Sequence, residues 1–248
     1  MPNQIRLSVI IPAYNEEKRI TKTLQEIDRY LSKQSYNYEI IVVSDGSKDK
    51  TAEVAKNLQN QIKNLRVIDN KENHGKGYVT RQGMLEAKGG YRLFTDADNS
   101  TSIDQVEKMW PEFEKGFDVV IGSRDIKGAV LDPPQPWLRN IILGEGFKLF
   151  RKIVIGLWGI EDTQCGFKGL SKEATESVFP KCKIDRFAFD PEILVIAQKL
   201  GYKIKEVPVY WKNDPDSKVK FKSMVKMAID LFKIRWNSIK GLYGKKKS

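Results

Sequence analysis

Short apolar runs alternate along the first half of the chain with stretches in which apolar residues recur every three or four positions. A continuous run such as Leu7–Ile11 is typical of a strand that is buried on both faces. Ile20, Leu24, Ile27 and Leu31, in contrast, share one face of a helix. The alternation predicts strands at 7–11, 39–43, 65–68, 91–95 and 118–121, separated by helices within 16–33, after Ser47 or Asp49, from 75 to about 87 and over 103–113.

Strands and helices that alternate at this spacing predict an α/β fold, with a Rossmann-like, mostly parallel sheet covered by helices on both faces. In such sheets ligands bind beyond the carboxyl ends of the strands. The residues that directly follow each strand are therefore the first candidates for a functional site.

The second half is less regular. Asp132–Pro136 carries three prolines, which predicts a loop, and residues 138–160 predict an amphipathic helix. Glu161–Lys168 is polar and predicts a turn, and a helix near 191–200 and a strand near 204–209 follow.

Composition excludes several functional classes. The chain has 248 residues, of which 40% are hydrophobic and 30% charged, as in a soluble globular protein of one or two domains. No apolar run approaches the roughly 18 residues of a membrane span, and the first 30 residues contain four acidic residues and no signal-peptide core, which predicts a cytosolic location. Two cysteines are too few for a disulfide framework, and a single histidine, His74, argues against a Ser-His-Asp hydrolase or a His-rich zinc site.

Charge divides the chain into two parts. Residues 218–248 contain ten of the 43 Lys and Arg residues but only one of the 32 acidic residues, so they carry most of the net charge of +11. We therefore predict a main domain over 1–217 and a basic amphipathic segment over 218–248. Its helix at 221–239 has an apolar face opposite lysines, which fits packing on the domain or, as we favour, contact with an anionic membrane surface. The nearly balanced charge of 1–217 argues against broad nucleic-acid binding.

Carboxylates follow two of the predicted strands. Asp96 and Asp98 come directly after the fourth strand, and two carboxylates in this position can hold Mg²⁺ or Mn²⁺ together with phosphate oxygens. The alternative is an ordinary Asp-rich turn, although the position at a strand end favours the metal. Asp45 follows the second strand, where an acid either accepts hydrogen bonds from a ribose or base or caps a turn.

Basic residues complete this edge. His74–Gly77 places backbone N–H groups and the Lys76 ammonium near a helix start, which suits a phosphate, although it lacks the spacing of a P-loop. Arg124 and Arg139 could together bind a phosphate, and a surface salt bridge is the alternative, especially for Arg139.

Several motifs occur together and in order along almost the whole chain: SVIIPAYNEE, VVSDGSKDKT, GKGYVTRQGM, FTDADNST, VIGSR, DTQCGFKGLS, FAFDPEILVIA and EVPVYW. This set resembles the family 2 glycosyltransferases with the GT-A fold. Within them it is most similar to the enzymes that make dolichyl- or polyprenyl-phosphate hexoses, and the DTQCGFK segment favours the glucosyltransferase group.

The resemblance implies a role for individual residues. Pro12, Ala13, Tyr14, Glu16 and Asp45 would bind the base and ribose of a nucleotide sugar. Its diphosphate and metal would lie at the remaining donor-binding positions, which are Lys76, Arg81, Asp96, Ala97, Asp98 and Lys218. Arg124 and Arg139 would hold the acceptor phosphate, and Asp162 would approach the sugar.

The function implied is inverting transfer of glucose from UDP-glucose to a polyisoprenyl phosphate, by a metal-dependent enzyme bound peripherally to the cytosolic face of a membrane. Three alternatives remain at this point. They are the same reaction with GDP-mannose, a nucleotidyltransferase, and a basic membrane or nucleic-acid adaptor without catalysis.

Overall fold

A seven-stranded sheet forms the centre of the protein in the computed structural model, which describes residues 4–133, 146–212 and 221–244. The sheet has the order β3-β2-β1-β4-β7-β5-β8, and β6 and β9 pair separately. The strands are β1 (Leu7–Ala13), β2 (Tyr38–Asp45), β3 (Leu65–Asn70), β4 (Tyr91–Thr95), β5 (Val119–Ser123), β6 (Val130–Asp132), β7 (Phe167–Ser171), β8 (Ile204–Pro208) and β9 (Tyr210–Lys212).

Helices cover both faces of this sheet. They are α1 (Ile20–Leu31), α2 (Thr51–Asn57), α3 (Lys76–Glu86), α4 (Trp110–Glu114), α5 (Gly146–Ile155), α6 (Lys172–Val178), α7 (Phe189–Leu200) and α8 (Phe221–Ile239), with short 3₁₀ helices at Leu58–Asn60, Ile103–Lys108 and Phe179–Lys181. Each face has its own apolar cluster, and alternate residues of β1 contribute to the two: Ile10 to one, Val9 and Ile11 to the other. The predicted α/β fold with a mostly parallel sheet is confirmed.

Two predicted helices have different limits in the structure. The apolar residues of 103–113 lie on a 3₁₀ helix followed by the short α4, because Pro111 lacks the N–H that a continuous helix would need. The described part of the predicted 138–160 helix ends at Ile155, and Gly156 follows with a φ of +73°, a conformation that favours glycine. Residues 138–145 lie outside the described residues.

The sequence predicts a turn over Glu161–Lys168, but Phe167 and Lys168 already belong to strand β7, which the sequence does not predict. It is antiparallel to both β4 and β5, with Thr95 opposite Phe167 and Ile121 opposite Lys168. Because β7 runs in the opposite direction, its start lies where β4 and β5 end. The segment just before β7 therefore joins the edge of the sheet at which the predicted site residues emerge.

The C-terminal helix packs on the domain. Leu231 and Ile234 of α8 are buried in one of the two clusters, and the ring of Phe232 contacts that of Phe150 in α5, with 5.7 Å between their centres. None of the described helices combines the length and the apolar character needed to cross a bilayer. The predicted domain boundary at residue 217 lies outside the described residues.

Candidate active site

Asp45, at the end of β2, holds the loop that leads into α3. Its carboxylate accepts hydrogen bonds from the backbone N–H of His74 at 2.7 Å, from that of Gly75 at 2.9 Å, and from the side chain of Asn73 at 2.9 Å. Burial raises the pKa of Asp45, and the two backbone donors act in the opposite direction by stabilising the carboxylate. The carboxylate thus fixes the loop, and Lys76 is the next residue along it.

Lys76, the first residue of α3, reaches across to the end of β4. Its Nζ lies 2.5 Å from Oδ1 of Asp96. Burial works against the ammonium charge, but attraction to Asp96 and Asp190 outweighs it and raises the pKa of Lys76. A lysine whose charged form is favoured therefore lies beside the Asp96 carboxylate, and an ammonium in this position suits an anionic diphosphate.

Asp98 lies in the turn after β4, where it accepts a hydrogen bond from the backbone N–H of Ser100 at 2.9 Å. Burial raises the pKa of Asp98, and repulsion from Asp96 raises it further. Two carboxylates that repel each other at a strand end favour a cation between them, and their hard oxygens suit Mg²⁺ or Mn²⁺. The residues present therefore fit the predicted divalent ion.

In the described part of the chain, no group of three or more His, Cys, Asp or Glu side chains is arranged to hold a metal. Mg²⁺ is commonly bound through one or two carboxylates, with substrate phosphates and waters completing its shell.

A second lysine–aspartate pair lies beneath this edge. Lys168 of β7 and Asp190 of α7 are both buried, with 2.5 Å between Nζ and Oδ1, and Lys168 also donates to the carbonyl of Cys165. Burial raises the pKa of Asp190, which the charges of Lys168 and Lys76 oppose. This pair was not predicted from the sequence.

Gly166 lies directly against Asp96. A Cβ atom at position 166 would collide with the carboxylate of Asp96, so a side chain here would displace it. The close approach follows from the pairing of β4 with β7, in which Thr95 lies opposite Phe167. Position 166 thus determines where the Asp96 carboxylate can lie.

Arg124 and Asp162 form a two-point ion pair at the end of β5. Nε of Arg124 lies 2.7 Å from Oδ2 of Asp162, and Nη2 lies 2.9 Å from Oδ1. Asp162 also accepts from the backbone N–H of Gln164 and Cys165. Burial alone would raise the pKa of Asp162, but Arg124 and these donors hold it well below its ordinary range.

The remaining predicted residues occupy varied positions. Pro12 and Ala13 are buried at the end of β1, and Tyr14 follows them with a partly exposed ring. Arg81 donates to Asp185 at 2.8 Å. Glu16 pairs with Arg19 at 2.8 Å, and the carbonyl of Ala97 accepts from Thr23 at 2.7 Å. Arg139 and Lys218 lie outside the described residues.

The family model described as "Glycosyl transferase family 2" matches residues 8–179, which include the ends of β1, β2, β4 and β5. The chain belongs to glycosyltransferase family 2. The resemblance of the ordered motifs to that family is thereby confirmed.

Curated relatives of this family 2 glycosyltransferase carry a more specific name. A dolichyl-phosphate beta-glucosyltransferase of Trichomonas vaginalis is 41% identical over 244 residues, covering 94% of this chain and 72% of the relative. The proteins of that name from Dictyostelium discoideum and Homo sapiens are 39% and 36% identical, covering 97% and 96% of this chain and 77% of each relative.

Solved structures confirm the fold of this family 2 glycosyltransferase. The glucosyl-3-phosphoglycerate synthase of Mycobacterium tuberculosis, solved with Mn²⁺, UDP and phosphoglyceric acid, aligns with a TM-score of 0.68 at 17% identity, over 98% of this chain and 80% of its own. The mannosyl-3-phosphoglycerate synthase of Rubrobacter xylanophilus gives a TM-score of 0.66 at 17% identity, over 98% and 77%.

The sequence does not identify the buried charged residues that lie beneath the site of this glycosyltransferase. Lys168 is a charged residue inside the short strand FKGLS, and Asp190 and Glu192 lie in the apolar stretch FAFDPEILVIA. Buried charged residues are rare unless they are paired. A charged residue within an apolar segment indicates a buried ion pair or hydrogen bond. Because the partners are far apart in the chain, the sequence does not indicate which residues pair.

Proposed function

We propose that this enzyme transfers glucose from UDP-glucose to dolichyl phosphate or a related polyprenyl phosphate, with inversion at the anomeric carbon. The observation that carries the proposal is the juxtaposition of Lys76, Asp96 and Asp98 at one strand end. The names of the relatives supply the sugar and the acceptor. UDP as the nucleotide, the metal requirement and the site roles are our inference.

On the donor side, Asp96 and Asp98 would hold Mg²⁺ or Mn²⁺. The ion would stabilise the negative charge that grows on the departing diphosphate. Lys76 would exchange part of its contact with Asp96 for the phosphates, and Tyr14 and Asp45 would bind the ribose and base. Lys218 would close over the diphosphate.

On the acceptor side, Arg124 and Arg139 would hold the lipid phosphate. The Arg124 side chain is partly exposed although it is paired with Asp162, so a phosphate can approach it. An acceptor phosphate is already an anion near pH 7 and needs no strong general base. Asp162, whose pKa Arg124 holds low, would be a weak base, and it suits the role of orienting Arg124 beside the sugar.

An exposed apolar surface on α5 and α8 supports contact with a membrane. Its members are large apolar side chains that are more than half exposed: Leu149 and Ile153 of α5, Trp158 just after that helix, and Ile229, Phe232, Trp236 and Ile239 of α8. A cleft of about 790 Å³ between α8 and the segment 183–186 adds Lys226, Lys233 and Arg235 beside this surface. Aromatic and aliphatic side chains next to lysines suit the interface of an anionic bilayer.

A test of peripheral attachment is sedimentation with anionic phospholipid vesicles. The double substitution Phe232→Ser and Trp236→Ser should weaken vesicle binding, whereas Leu85→Ser, at an exposed leucine on α3, should not. Equal vesicle binding by both variants would contradict a membrane role for α8.

The function is tested by ligand-induced thermal stabilisation, since ligands that bind the native state raise the melting temperature. UDP and UDP-glucose should stabilise the protein with Mg²⁺ and much less without it. Asp98→Ala should lose this metal-dependent gain and its transfer activity while it keeps the fold. Full activity of this variant, or of the native enzyme in EDTA, would refute the metal role.

The same experiment separates the alternatives. Stabilisation by GDP-mannose in place of UDP-glucose, with mannosyl transfer, would change the donor assignment. Release of pyrophosphate instead of UDP would indicate a nucleotidyltransferase. Retention of RNA without any binding of nucleotide sugars would indicate a basic adaptor.

A further inference from the structure

Glu192, in the first turn of α7, is a fully buried carboxylate with three hydrogen-bond donors. Oε1 accepts from the hydroxyl of Tyr243 at 2.7 Å and from the backbone N–H of Lys183 at 2.9 Å. Oε2 accepts from the backbone N–H of Ile184 at 2.9 Å. A buried carboxylate without hydrogen-bond partners is strongly unfavourable. We therefore expect these donors to move together with the carboxylate of Glu192.

The segment held by Glu192 lies against the loop that precedes Lys76. The carbonyl of Asp185 accepts from the backbone N–H of Tyr78 at 3.2 Å, and its carboxylate pairs with Arg81 at 2.8 Å. A Cβ atom on Gly77 would lie 2.6 Å from the carbonyl oxygen of Ile184, and one on Gly75 would collide with that of Asp185. The segment 183–185 is therefore packed directly against the glycines of this loop.

The other partner of Glu192, Tyr243, lies just beyond the C-terminal end of α8. Its ring is fully buried, and its hydroxyl also accepts from the side chain of Asn237, at 3.3 Å. The end of α8 and the segment 183–185 are thus held by the same carboxylate.

We propose that Glu192 and Tyr243 are positioning residues for donor binding, which couple the placement of α8 to that of the loop carrying Lys76. A displacement of Tyr243 would shift Glu192 and the segment 183–185, and with it the backbone N–H groups that Asp45 binds. The inference rests on the proposed function for the identity of the donor. The coupling within the protein is independent of that identity.

The decisive variant is Tyr243→Phe, which removes the shared hydroxyl but keeps the buried ring. We expect it to weaken UDP binding in the presence of Mg²⁺ about fivefold, the factor that corresponds to a hydrogen bond of roughly 1 kcal/mol. The KM for UDP-glucose should rise by a similar factor, with a smaller change in kcat. Amide hydrogen exchange over residues 74–78 should become faster.

The matched control is Tyr202→Phe. The hydroxyl of Tyr202 donates to Oγ of Ser177 at 2.7 Å, away from the segment 183–185. Both variants lose a tyrosine hydroxyl that has two hydrogen-bond partners, but Tyr202→Phe should keep native UDP affinity and native exchange over residues 74–78. Equal UDP affinity and equal exchange in the two variants would overturn the proposal.

Glu192→Gln provides a second measurement, because a side-chain amide would place a donor against a backbone N–H. It should weaken UDP binding more than Tyr243→Phe does, and native UDP affinity in a folded Glu192→Gln protein would count against the proposal. If the native protein bound no UDP, the proposed donor would be wrong. The exchange of residues 74–78 would still decide whether Tyr243 positions the loop.

Discussion

Two lysine–aspartate pairs with the same distance between Nζ and Oδ1 lie in different regions near β4. The pair between Lys168 and Asp190 lies in the interior between β7 and α7, where the two side chains are 0% and 4% exposed. The pair between Lys76 and Asp96 lies at the open edge of the sheet, where they are 25% and 35% exposed. The separation of the charged atoms is 2.5 Å in both, so burial is what distinguishes them.

The difference indicates which pair can change partners. In the interior pair, neither charge has access to water. If one member moved away, the other would remain unpaired in an apolar environment, which is strongly unfavourable. The partly exposed pair at the edge can exchange its contacts with water and solutes at a lower cost. We infer that the interior pair supports the edge, while the edge pair is available for a metal ion and phosphates.

The largest effect is expected when the interior pair is broken. Lys168→Met leaves Asp190 buried without its partner and should lower the free energy of unfolding by about 3–5 kcal/mol. Urea denaturation measures this loss. Substituting both residues, as Lys168→Met with Asp190→Asn, should recover most of it, and a loss below about 1 kcal/mol in the single variant would show that the pair is not a structural support.

An intermediate effect is expected for the pair of Arg124 and Asp162, which is buried on the aspartate side only. Asp162→Asn should cost about 2 kcal/mol at pH 7, since a charge-assisted pair is lost. Because the folded-state pKa of Asp162 is depressed, its contribution is complete above the ordinary carboxyl pKa of about 4 and is lost as the pH falls below it.

The measurement is therefore the stability difference between the native protein and Asp162→Asn as a function of pH. It should be constant above pH 5 and shrink towards pH 2. Glu112→Gln, in a pair with the exposed Lys115, serves as the control and should cost much less stability at pH 7 than Asp162→Asn does. A difference that grew on acidification would contradict the assigned direction.

The smallest effect on stability is expected at the edge pair. Lys76→Met, the same substitution as at position 168, should lower the free energy of unfolding by less than Asp162→Asn does, because both members of the pair are partly exposed and water can solvate the carboxylate left behind. It should nevertheless weaken UDP binding, since the charge beside the diphosphate is removed. If Lys76→Met were as destabilising as Lys168→Met, the distinction between the two pairs would be lost.

Much of the proposed donor side could be predicted from the sequence, because its residues directly follow apolar strands. Asp45, Asp96 and Asp98 are recognisable since each comes after a buried run, and parallel strands bring such ends together. The alternation of apolar runs and helical patterns in the first half also predicted the order of strands and helices up to β5.

The support beneath the site could not be predicted in this way. Strand β7 includes Lys168 and Gly169, so it lacks the apolar pattern of a central strand. Lys168 and Asp190 are 22 residues apart, and Glu192 and Tyr243 are 51 apart. Such pairings depend on the three-dimensional path of the chain, which the local pattern of residues does not specify.

Gly166 has a consequence for how this protein tolerates mutation. It has no functional group, yet even an added methyl group would push the Asp96 carboxylate out of place. In a saturation mutagenesis screen selected for transfer activity, neither Gly166 nor Asp98 should accept a substitution. A substitution at position 166 should affect stability much less than it affects activity. The absence of a side chain at position 166 would then be required as strictly as the presence of a reactive group elsewhere.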